Sequence, residues 1–90
     1  MNVLIIEDET ALAHELEIFL SNYNYICEVC FDGTSASEKI ATNLYDFILI
    51  DLGLPDYDGL DLLRESKKTN SAFVSFAKRS TSWLKAAVQR

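Results

Sequence analysis

Proline occurs once in these 90 residues and glycine three times. So small a supply excludes a proline-rich spacer, a collagen-like repeat or a flexible glycine tether. No internal repeat or low-complexity stretch takes their place. Cysteine occurs twice and histidine once, too few for a disulfide framework or for a structural zinc site with four such ligands. Basic residues are outnumbered by acidic ones, 8 against 14, giving a net charge of −6. A non-specific nucleic-acid binder would be basic, so direct nucleic-acid binding is not expected. Long apolar runs are missing too. The longest, residues 3–6 and 47–50, fall far short of the ~20 residues that a membrane span needs. The N-terminus has no basic stretch, and its apolar run ends at once in acids, unlike a signal peptide. A cytoplasmic protein with reduced cysteines is expected.

What is present is a large apolar share, 49%, enough for a real core in a single domain. Stability should be modest, because small domains bury a smaller fraction of their surface. The charges are segregated. All 14 acidic residues lie within residues 1–74, with Lys39, Arg64, Lys67 and Lys68. Residues 75–90 hold Lys78, Arg79, Lys85 and Arg90 and no acid. A shift this sharp suggests a boundary: a core over residues 1–74 and an atypical basic tail over 75–90.

Residues 3–6 are wholly apolar and mostly β-branched, as in a strand buried on both faces of a parallel sheet. Residues 10–21 follow a helical period, with Leu12, Leu16, Phe19 and Leu20 on one stripe. Residues 25–31 alternate like a half-exposed strand, and Asp32-Gly33 marks a turn. Residues 35–43 read as a helix with Ala36, Ile40 and Ala41 inward. Residues 47–50 form a second apolar strand. Residues 51–58 form a loop. Residues 59–68 read as a helix with Leu60, Leu62 and Leu63 inward. Strands alternating with helices over short connections predict an α/β doubly wound parallel sheet with right-handed crossovers.

Carboxylates follow the two most apolar strands: Glu7 and Asp8 after the first, Asp51 after the second. Ligands of such sheets bind beyond the carboxyl ends of the strands, where strand order reverses. If these strands are neighbours, the three carboxylates share one crevice. Two carboxylates ~4 Å apart repel by ~4 kcal/mol at an effective dielectric of ~20. A hard divalent cation relieves this, and Mg²⁺ typically takes one or two carboxylates and keeps open positions for phosphoryl oxygens. A carboxylate beside it can act as nucleophile toward a phosphoryl donor. The plainer reading is that Asp8 and Glu9 only cap the first helix, but that does not account for Asp51.

Val3-Leu-Ile-Ile-Glu-Asp-Glu9 resembles the first strand and acidic pair of bacterial two-component response-regulator receiver domains. Phe47-Ile-Leu-Ile-Asp51-Leu-Gly-Leu-Pro55-Asp-Tyr-Asp-Gly59 resembles their phosphoacceptor segment. The resemblance covers roughly residues 2–74. It implies a flavodoxin-like receiver fold and phosphorylation of Asp51 by a sensor histidine kinase, so the chain is a phosphoacceptor and not a turnover enzyme. It also implies Mg²⁺ held by Glu7, Asp8, Asp51 and the Gly53 backbone carbonyl. Pro55 fixes φ and stiffens the loop. Gly59 allows a close approach at the helix start. Family members catalyse their own phosphorylation and dephosphorylation, and longer relatives carry a DNA-binding output domain.

After residue 74 the pattern departs from the family. About four of five strands are expected. Lys78 falls about where the family has a switch Thr or Ser, with Ser80 or Thr81 as substitutes only after a register shift. No counterpart of the phosphate-binding Lys is identified. Trp83, Leu84, Ala87 and Val88 have helical spacing, and Ser82 can cap such a helix. The tail is then foreign sequence, or it folds over the open sheet edge, or two chains pair their edges as a homodimer.

Cys27 and Cys30 read as packing thiols, since residues three apart on a strand face opposite ways. His14 lies off the apolar stripe, on a solvated face. Two functions from other classes remain beside the phosphoacceptor. One is an interaction-only receiver fragment without the switch residues. The other is an aspartyl-phosphate phosphatase of the haloacid-dehalogenase type, which Gly53 disfavours because such enzymes want a second Asp there.

Overall fold

The computed structural model of the chain describes residues 1–51 and 53–68 in full, and the backbone of residues 72–79 and 82–88. The elements are β1 (Asn2–Ile6), α1 (Thr10–Ser21), β2 (Ile26–Cys30), α2 (Gly33–Thr42), β3 (Phe47–Asp51), α3 (Gly59–Lys68), β4 (Ala72–Arg79) and β5 (Ser82–Val88). They form one sheet of order β2-β1-β3-β4-β5. β1 pairs in parallel with β2 and β3, and β3 with β4. The chain steps from β1 out to β2 and returns past β1 to β3. Strand order therefore reverses between β1 and β3, which opens a crevice at their carboxyl ends.

The central strands are apolar because both of their faces are covered. Leu4 and Ile6 of β1, with Ile48 and Ile50 of β3, meet Ala36 and Ile40 of α2 and Leu62 of α3 in one core. Val3 and Ile5 alternate to the opposite face, where right-handed crossovers place α1. That face is covered less fully. Phe47 and Leu49 of β3 stay half-buried, while Ile48 and Ile50 are sealed.

Burial on the helices corrects three sequence expectations. Phe19 is 55% exposed and Ala13 is the buried residue of α1, with Leu12, Leu16 and Leu20 half-buried. Leu60 is 51% exposed, whereas Leu62 is buried. Ala41 is exposed, leaving Ala36 and Ile40 as the inward residues of α2. Each helix touches the sheet along a strip narrower than its apolar stripe.

Residues 82–88 are a strand and not the helix that the spacing of Trp83, Leu84, Ala87 and Val88 permits. β5 pairs antiparallel with β4, from Phe73↔Val88 to Arg79↔Ser82, so the sheet has five strands instead of four. An uncovered β4 edge would present a row of open N–H and C=O groups, and a neighbouring strand satisfies them. Ser80 and Thr81 lie outside the described residues.

Tyr45 enters the core beside β3 and is 5% exposed. Its hydroxyl donates to Glu28 on β2 at 3.0 Å, and the same carboxylate pairs with Lys39 at 3.0 Å. The Lys39 and Tyr45 bonds hold the Glu28 carboxyl below its usual range. Tyr45→Phe should destabilise the domain by about 1 kcal/mol, the net value of one such bond. Urea unfolding checks this: a midpoint that falls at unchanged slope is expected.

Candidate functional site

The site begins with two strand ends. β1 stops at Ile6 and β3 at Asp51, paired in register as Ile6↔Ile50. Acids directly after these residues must therefore come together. Glu7, Asp8 and Asp51 each offer an oxygen within 4.8 Å of the other two. Glu7 and Asp51 are fully buried and Asp8 half-buried. The convergence expected from the sequence is met.

Local backbone bonds aim these groups. The Glu7 amide donates to the Cys30 carbonyl at 3.0 Å, which extends the β1–β2 ladder past the last strand residue. The Glu9 amide donates to Glu7 Oε1 at 3.0 Å, turning that carboxylate over its own loop. The Gly53 amide donates to Asp51 Oδ1 at 2.8 Å. As for helix capping, Glu9 stands at the N-cap of α1 with no side-chain cap bond, so capping does not explain that acid.

Gly53 keeps an ordinary backbone. No glycine has a positive φ, and a Cβ at Gly53 would only touch Asp51 Oδ1 at 3.4 Å. The same holds for Gly59, which opens α3 as a buried residue and supplies no left-handed conformation. Pro55 is exposed in the loop between them.

The donor set suits a hard cation. Three carboxylates and no softer ligand converge, which matches the oxygen preference of Mg²⁺. Concentrated negative charge with low solvent access also calls for a compensating positive charge. Elsewhere on the described surface, Lys39 pairs with Glu28 and Arg64 with Asp61, and His14 lies 3.5 Å from Glu17. Each of those lies on a helix or strand surface.

A second group of residues escaped the sequence reading. The Asp56 carboxylate accepts from the Gly33 amide at 2.9 Å and from the Thr34 amide and hydroxyl at 3.2 Å each. The amide bonds, Gly33 first, hold the Asp56 carboxyl below the usual range. Tyr57 donates its hydroxyl to Glu65 at 2.6 Å, and Ser37 donates to the same carboxylate at 2.5 Å. The loop after Asp51 is thus fastened to the start of α2. The only sequence hint was an acid between Pro55 and Tyr57, and nothing local tied it to residues more than twenty positions away.

The cysteines do not contribute. Both are free; Cys27 is half-buried and Cys30 buried. Burial pushes the Cys30 thiol up to about 11, so it stays protonated and unreactive. His14 stays on the α1 surface, 3.5 Å from Glu17.

Comparison with known proteins agrees with this geometry. A sequence model of the response regulator receiver domain matches residues 3–88. The response regulator ArlR of Staphylococcus haemolyticus is 39% identical over 70 residues, covering 78% of this chain and 32% of that protein. The transcriptional regulatory protein DltR of Streptococcus agalactiae is 35% identical over 68 residues, covering 76% and 30%. The chain thus spans about a third of the length of these curated relatives. A receiver domain of a Francisella response regulator superposes with a TM-score of 0.79 at 28% identity, over 90% of this chain and 69% of that one. No helix among the described residues is long and apolar enough to cross a membrane. A 2-1-3 parallel sheet, an acidic trio at its switch point and a family match over nearly the whole chain lead to one conclusion: this chain belongs to the response regulator receiver domain family of two-component systems.

Proposed function

We propose that Asp51 is the phosphoacceptor of this chain and that Glu7, Asp8, Asp51 and the Gly53 carbonyl hold Mg²⁺ beside it. The observation carrying this reading is the meeting of three carboxylates at the β1–β3 switch point, on a chain of this family. When bound, Mg²⁺ would offset the carboxylate charge and coordinate oxygens of the incoming phosphoryl group. The protein's own part is to present the nucleophile. The Gly53 amide fixes the Asp51 carboxylate, and the buried setting limits competing water. A carboxylate oxygen of Asp51 attacks the phosphorus of a phosphohistidine. The phosphorus–nitrogen bond breaks, and the imidazole nitrogen keeps the electron pair. The donor is a sensor histidine kinase, and the setting is the cytoplasm. A longer relative would carry the DNA-binding output domain.

A rival reading keeps the fold and drops the signal: an interaction module that binds partners without phosphorylation. The observation favouring it is the basic, acid-free composition of residues 75–90, which departs from the family's pattern. Incubation with a phosphorylated histidine kinase separates the two. Labelling that depends on Mg²⁺ and vanishes in Asp51→Asn supports the phosphoacceptor; an unlabelled folded chain supports the rival.

Asp8→Asn gives a narrower check on the metal carboxylates. Asp8 is the most accessible of the three acids, so the substitution should spare the fold. It should weaken Mg²⁺ binding by roughly tenfold or more, the scale on which even indirect ligand partners act. An unchanged calorimetric titration would remove Asp8 from the site.

A further inference from the structure

We infer that Asp56 is a positioning residue for the Asp51 site: its carboxylate ties the loop after β3 to the start of α2 and so holds the Gly53 backbone against Asp51. The inference rests on the reading of Asp51 and its neighbours as a Mg²⁺ and phosphoryl site. Three observations carry it. Asp56 accepts three bonds from two consecutive residues, Gly33 and Thr34, so its carboxylate is fixed at both oxygens. The next residue, Tyr57, gives a second anchor through Glu65 and Ser37. The loop's other end is set by the Gly53 amide on Asp51 Oδ1. Only two residues separate Gly53 from Asp56, and Pro55 stiffens that link. A displacement at Asp56 is therefore passed to Gly53 instead of being absorbed.

An ordinary helix cap would behave differently. α2 already has one: Asp32 accepts from the Ser35 amide at 2.7 Å. Asp32 contributes to the same helix end without holding the loop, so it serves as the internal control. Asp56 spends its bonds on the loop-to-helix contact.

The test compares Asp56→Ala, Asp56→Asn and Asp32→Ala in the 90-residue chain, titrated with MgCl₂ by calorimetry at a temperature where each is folded. The Gly53 amide resonance is followed in parallel. Asp56→Ala should weaken Mg²⁺ by about tenfold, as loss of a group supporting a metal ligand does, and should move the Gly53 resonance before any metal is added. Asp56→Asn keeps one acceptor oxygen and should lose less; it carries the test if the alanine variant does not fold. Asp32→Ala should lower Tm and leave both readouts unchanged. Equal Mg²⁺ affinity in Asp56→Ala and the unaltered chain would overturn the inference, as would an equal loss in Asp32→Ala. If the unaltered chain itself takes up no Mg²⁺, the site reading fails and the positioning role falls with it. That failure is distinguishable because it appears without any substitution.

Discussion

Asp51→Asn should abolish phosphoryl uptake and, without Mg²⁺, raise the melting temperature. The first effect is chemical. An amide offers no anionic oxygen to attack phosphorus, and loss of a nucleophile costs roughly 10³-fold or more. The second effect is electrostatic. Three carboxylates crowd within 4.8 Å of one another, two of them fully buried. Each fully charged pair at that distance repels by roughly 3 kcal/mol at an effective dielectric of ~20. Asn keeps an acceptor for the Gly53 amide and removes one charge. Even a third of the repulsion, about 1 kcal/mol, corresponds to a rise of ~4–8 °C in a domain of this size. Mg²⁺ should reverse the order, because it stabilises only the form that binds it well. Thermal melts of both proteins with and without MgCl₂ check this. Parallel shifts of the two in Mg²⁺ would mean that Asp51 is not a metal carboxylate.

Gly33→Ala should destabilise the domain by about 2 kcal/mol, although alanine is the better helix former. Two effects of opposite sign compete. Alanine is favoured over glycine by at most about 1 kcal/mol inside a helix, and Gly33 is the first residue of α2, where the gain is smaller. Against this, a Cβ at Gly33 would lie 2.0 Å from Tyr57 Cβ and 2.6 Å from its Cγ. The nearest of these, Cβ, is fixed to the backbone, and no rotamer change can move it. The loop or the helix must shift, and such overpacking costs about 1–3 kcal/mol. Sterics win, and Tm should fall by roughly 10 °C. A double-mutant cycle identifies the cause. Tyr57→Ala keeps the colliding Cβ and should not relieve the alanine, whereas in a Tyr57→Gly background Gly33→Ala should cost much less. A full-size penalty in that background would place the clash elsewhere.

How much the sequence disclosed depends on the range of the interaction. The runs at residues 3–6 and 47–50 were legible because a parallel strand is buried on both faces and admits nothing polar. The acidic trio was legible for a related reason: acids directly after two such strands meet whenever the strands are neighbours. Burial on the helices was less legible. A stripe says which residues share a face, but not how far the facing sheet extends, so Phe19, Ala41 and Leu60 fit their apolar stripes and still lie exposed. The tail is a sharper case. Trp83, Leu84, Ala87 and Val88 fit a helical period, yet the hydrogen-bonding demand of the β4 edge, not local spacing, sets β5. Asp56 was invisible for the same reason. Its partners lie 22 and 23 positions away, and an acid in a loop beside other acids gives no sign of them.

The measurement that tests the central claim most directly is a backbone amide NMR spectrum of the chain alone, then with Mg²⁺, then with Mg²⁺ and beryllofluoride as a phosphoryl mimic. The account predicts a dispersed spectrum in which Mg²⁺ shifts the amides of residues 7–9 and 51–53. Beryllofluoride should shift them again, and neither ligand should act this way on Asp51→Asn. A well-dispersed spectrum that ignores both additions would contradict it, leaving a receiver fold whose acidic trio holds neither metal nor phosphoryl group.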